Sequence, residues 1–119
     1  MEKWRIENMK IYRQGDVLLK RVRTVPKNAL EKINNDNEKR IVLAYGEVTG
    51  HAHAISLAEA KEFTLEKAGV VVQRFLKVIS EKGANLKHEE HSTIKLPKGV
   101  YEIVQQREYS PQEIRNVAD

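Results

Sequence analysis

The chain has 119 residues and a formal net charge of +4, from 21 basic and 17 acidic side chains, with 40% of its residues hydrophobic and 32% charged. That length supports one globular domain over residues 1–119, with a real core and no room for a second. Without cysteine there are no disulfides, thiolate metal sites or cysteine nucleophiles.

No apolar run approaches the roughly 20 residues of a membrane span. The opening "MEKWRIENMKIYRQGD" is charged throughout and lacks a signal-peptide core, so the expectation is a cytoplasmic protein without membrane contact. The mild basic excess favours an anionic partner. With no long basic helix to grip duplex DNA, that partner is expected to be small or single-stranded.

In chain order, "RQGDVLLKRV" follows a Gly15-Asp16 turn and sets Val17 and Leu19 on one face against Leu18, Lys20 and Val22 on the other, the pattern of a strand. "VPKNALEKINNDNEKR" reads as a polar loop with one weak helical turn. "RIVLAYGEV" reads as a strand with Ile41, Leu43 and Tyr45 in phase. Ser56 to Ala68 reads either way: a helical turn capped by Ser56 with Glu59 at its third position, or an edge strand at "KEFTLE".

"GVVVQRFLKVIS" is rich in β-branched residues and reads as a central strand. "ANLKHEEHSTIKL" continues as a strand, "LPKGV" turns the chain, and "VYEIVQQREY" alternates Tyr101 and Ile103 against Glu102 and Val104. Finally "SPQEIRNV" carries a helix start, with Ser110 as cap, Pro111 at the first position and Glu113 closing the box. The fold class expected is α+β and strand-dominated: a small β-barrel or sandwich with one or two short helices.

Chemistry concentrates in the four histidines. His51 and His53 stand two apart in "GEVTGHAHAI", so extended backbone puts both rings on one side, and the flanking alanines crowd neither. His88 and His91 bracket Glu89 and Glu90 in "KHEEHS", where a carboxylate stands close enough in sequence to orient a ring. Two readings stay open. A cupin-like metal site would use His-X-His with a later histidine and a glutamate, but the glutamate expected three or four residues after His53 is replaced by Ser56 and Leu57. Metal-free acid–base cleavage of a phosphodiester would use histidine as base and acid, with Lys87, Arg13 or Arg107 beside the phosphate.

Taken together, "YRQGDVLL", "GEVTGHAHAI" and "LKHEEHSTIKLPKGVYEIVQQREYSPQEIRNV" resemble a group of small bacterial and phage proteins that includes CRISPR-associated ring nucleases, over most of Arg13 to Asp119. The resemblance implies a homodimer without cofactor that binds a cyclic oligoadenylate across its two-fold axis. It implies metal-independent attack of a 2′-OH on the adjacent phosphate, leaving linear products with cyclic phosphate ends. His51, His53, His88 and His91 then carry the chemistry. Lys87, Arg13 and Arg107 are the phosphate contacts, with Gln14 and Thr49 as further substrate contacts. Tyr12, Tyr45 and Tyr109 are candidate platforms for an adenine. A non-catalytic nucleotide-binding module is the remaining alternative.

Overall fold

The computed structural model describes residues 10–33, 39–46 and 50–106. Ten strands are present among them. The main sheet has six, in the order β1-β2-β10-β7-β6-β3. These are β1 (Ile11–Gln14), β2 (Val17–Val22), β3 (Leu30–Glu31), β6 (Ala60–Lys67), β7 (Val70–Val78) and β10 (Gly99–Gln105). Every pairing in it is antiparallel. Two smaller pairs, β4 (Arg40–Tyr45) with β5 (Ala52–Ser56) and β8 (Ala84–Leu86) with β9 (Ile94–Leu96), form the opposing layer. They are joined where Ala54 and Lys87 exchange backbone hydrogen bonds of 2.9 and 3.0 Å.

Period-two alternation explains which layer faces which. In the main sheet Val17, Leu19, Leu76, Val78, Tyr101 and Ile103 point inward, and from the smaller layer Ile41, Leu43, Ile55, Leu86 and Leu96 meet them in one cluster. Tyr101 is fully buried, donates its hydroxyl to Pro97 O at 2.6 Å and lies under the Arg21 guanidinium at 5.4 Å. Burial pushes its phenol up to about 12, so the ring packs as a neutral group.

The expected α+β class is corrected: among the described residues there is no helix, and the architecture is all-β and antiparallel. At Ser56 the cap-like chemistry closes a turn instead. Ser56 Oγ accepts the Ala58 N–H at 3.1 Å and Ser56 O accepts the Glu59 N–H at 3.0 Å. A side chain of this kind serves either purpose, and Ala60 then enters β6, whose long ladder with β7 outweighs a helical turn. "KEFTLE" is also no edge, since β6 lies between β7 and the short β3. The weak helical turn near Pro26 is a single loop bond from Ala29 N–H to Pro26 O, followed by β3. "ANLKHEEHSTIKL" is a hairpin, β8 and β9 around a loop, rather than one strand. The helix read from Ser110 lies outside the described residues.

One phase error has a visible cause. The β4–β5 register shifts between Val42 and Ala44, a bulge that buries Ala44 and turns Tyr45 out to 65% exposure. Arg74 reaches across from β7 and donates to Leu43 O at 2.6 Å and Val42 O at 3.1 Å. Its Nε meets buried Glu62 Oε2 at 2.8 Å, so the guanidinium is ion-paired within its own sheet and hydrogen-bonded to the opposing layer. No described helix is long and apolar enough to cross a membrane.

Candidate functional site

The bulged end of β4 and the start of β5 open a cavity of about 650 Å³ at one end of the layers, and all four imidazoles line it. Ring centroids lie 4.2 Å apart for His53 and His88, 4.7 Å for His88 and His91, 5.8 Å for His53 and His91, and 6.0 Å for His51 and His88. Asp16, Gln105 and Gln106 complete one wall, and exposed Tyr45 stands at the rim.

His53 is the fixed member. Its side chain is buried on β5, and Nδ1 lies 2.8 Å from Gln14 Oε1. Gln14, equally buried at the end of β1, donates both amide protons, to Leu86 O and to Ser92 O, each at 2.9 Å. Those two carbonyls can only accept, so they fix which way the amide points and present its oxygen to His53. Nδ1 must then carry the proton, and the neutral ring turns a lone pair at Nε2 toward the cavity. Burial, then the neighbouring His88, holds the His53 pKa below its usual value, partly offset by Asp16. Asp16 Oδ1 stands 3.5 Å from Nε2, and its other oxygen accepts from Gln105 Nε2 at 3.0 Å.

His88 has the opposite tautomer. Its Nδ1 accepts the Glu90 N–H at 3.0 Å, so the neutral ring bears its proton on Nε2. His51 Nδ1 lies 2.9 Å from Glu90 Oε2, yet that buried nitrogen makes no hydrogen bond. The two groups pair as charges only when the imidazole is protonated. Glu89 turns the other way: its Oε1 accepts the Ala52 N–H at 3.0 Å, a bond that lowers its pKa and ties the loop to the start of β5.

Glycine makes the convergence possible. Gly15, at φ +59°, takes the first place of the two-residue β1–β2 turn, the conformation a II′ hairpin requires. A Cβ there would fall 2.8 Å from His91 Nε2 and 3.1 Å from His53 Cε1, so "RQGD" is as much a cavity wall as a turn. Among the described residues, no three His, Asp or Glu side chains are placed to hold one metal ion.

The other expected contacts separate. Arg13 reaches the rim, donating to Gln106 Oε1 at 3.2 Å. Lys87 lines a neighbouring pocket. Gln14 lies behind His53 rather than in the cavity wall, and Tyr12 packs edge-on against Tyr101 with centroids 5.7 Å apart. Thr49, Arg107 and Tyr109 lie outside the described residues. Asp16 and Gln105 were readable only as turn and strand residues, because nothing local in "QGDV" or "VQQR" places them beside a histidine.

Residues 13–106 match a family model described as a domain of unknown function (DUF8820), and the chain belongs to that family. No curated protein and no solved structure matches it.

Proposed function

We propose that this DUF8820 protein is a metal-independent, histidine-based phosphodiesterase of the cytoplasm that cleaves a small RNA-type ligand, with cyclic oligoadenylate as the leading substrate and a homodimer as the working form. What carries the reading is the pair of opposed tautomers at His53 and His88: one ring offers a lone pair to the cavity and the other an N–H.

In the cleavage step His53 Nε2 takes the proton from a ribose 2′-OH as the 2′-oxygen bonds to the adjacent phosphorus. The new imidazolium charge is met by Asp16, 3.5 Å away. His88 donates its Nε2–H to a non-bridging oxygen as negative charge grows there. The P–O5′ bond breaks, and the departing oxygen takes a proton from His51, whose positive form Glu90 compensates at 2.9 Å. The products are a 2′,3′-cyclic phosphate and a 5′-hydroxyl. Exposed Tyr45 offers a face on which a base can stack.

The test is to incubate chelator-treated protein with cyclic tri-, tetra- and hexa-adenylate and to separate the products chromatographically. Short linear products with cyclic phosphate ends are expected, and they should disappear in His53→Ala. Intact rings throughout, with a stoichiometric metal in protein that has not met chelator, would replace this reading with a ligand set built from the same histidines.

A further inference from the structure

A second pocket, of about 530 Å³, lies against the first, and His88 lines both. It is built on the opposite face of β5. His53 and Ile55 point into the core, so alternation turns Ala52, Ala54 and Ser56 to the other side, where buried Ala52 and Ala54 and exposed Ser56 form the floor of a trough. Cations from two neighbouring strands flank it. Arg40 on β4 is directly opposite Ser56, Lys39 precedes it, and Lys87 is directly opposite Ala54. Lys39 and Lys87 are exposed.

Two carboxylates also line the trough, and both are engaged with the backbone. Glu59 Oε1 accepts the Asn85 N–H at 3.1 Å, and Glu89 Oε1 accepts the Ala52 N–H at 3.0 Å. They brace the walls, while the flexible lysine heads are left to meet a ligand. Two exposed lysines brought together from separate segments, with Arg40 beside Lys39, suit a chain of phosphates better than one compact anion.

We propose that this trough binds the phosphate backbone of a single-stranded oligonucleotide and feeds it over His88 into the imidazole cavity. The inference rests on the phosphodiesterase reading and deepens it: the substrate carries phosphates beyond the one that is cut, and a single dinucleotide leaves the trough empty.

The experiment measures fluorescence anisotropy of a labelled hexadeoxyadenylate, which lacks the 2′-OH and stays uncut, across a salt series. Wild type is compared with the Lys39→Gln/Lys87→Gln double variant, whose folding is checked by its melting curve. Wild type should bind more weakly as salt rises. The double variant should bind roughly tenfold more weakly at low salt, with a log–log salt slope shallower by about 1.4, or about 0.7 for each lost phosphate contact. No binding by wild type, or equal affinity and slope in the two proteins, overturns the trough. Cyclic hexa-adenylate, run alongside, separates the two ideas. If it binds through the lysines and returns intact, the trough stands and the cleavage reading falls. Should it be cut while binding ignores the lysines, the trough falls and cleavage stands.

Discussion

The two halves of the imidazole cavity are built by different means. His53 sits within a strand, its side chain 3% exposed, and a buried glutamine that is itself anchored on two carbonyls fixes its proton. His88 and His91 ride on the loop between β8 and β9, where no ladder holds the backbone, and His91 is exposed. Tethers hold that loop instead: Gln14 to Ser92 O, Glu89 to the Ala52 N–H, and the Glu90 N–H to His88. Strand placement and burial specify a protonation state, whereas a tethered loop specifies a position. Gln14 touches both halves and is the hinge between them.

The largest effect expected is on activity, and it should fall on the strand half. His53→Gln removes the base and is expected to lower the cleavage rate by about 10²–10⁴-fold, the usual contribution of such a group. His91→Gln, on the exposed half, should cost less than about tenfold. Single-turnover rates on the same adenylate ring compare the two, and equal losses would erase the distinction drawn between strand and loop.

Next in size is a change of stability at the hinge. Gln14→Leu strands three groups: the buried His53 Nδ1–H, the buried Leu86 carbonyl and the part-buried Ser92 carbonyl. At about 1 kcal/mol or more for each unsatisfied group the loss is about 3 kcal/mol, or roughly 15 °C in Tm for a domain of this size. Gln14→Glu keeps an acceptor for His53 and loses both donors, so it should restore the His53 tautomer without the stability. Nitrogen chemical shifts of the His53 ring would report the tautomer directly. An Nε2-protonated His53 in the wild type would sink the argument.

These two halves also differ in how far the sequence reveals them. Alternation in "DVLLKRV" and "VYEIVQQ" places Val17, Leu19, Tyr101 and Ile103 in the core, because period two is printed along a strand that has one buried face. The shared side of His51 and His53 is legible in the same way. The bulge at Leu43 is not: "RIVLAYGEV" alternates cleanly, and the extra residue is specified by Arg74 on a distant strand. Arg74 itself carries a readable signal, a charge in phase with Leu76 and Val78, and such a residue demands buried partners. Gln14 carries none, since its partners lie more than 35 residues away in each case. The cap-like Ser56 misled because local hydrogen bonding serves helix starts and turns alike.

The smallest effects are the pH dependences, and they sharpen the contrast because the halves act in different windows. Folded His53 binds a proton less readily than it would in the unfolded chain, where its pKa is near 6.5. As pH falls below 6.5 the unfolded state therefore holds more protons, and stability declines. Glu89 on the loop shifts in its own range: the Ala52 N–H holds its carboxyl below 4.5, so its stabilisation is present above 4.5 and is lost as acid protonates it. Melting curves from pH 7 to pH 3 should thus show two descending segments. His53→Gln should flatten the upper one. Glu89→Gln, whose amide oxygen can still accept the Ala52 N–H, should flatten only the lower one and leave neutral stability nearly unchanged. Glu89→Ala should lower stability slightly at all pH values above 4.5 and speed amide exchange at Ala52. If Glu89→Ala instead disturbed the upper segment, the loop tether and the His53 protonation state would be one coupled device rather than two.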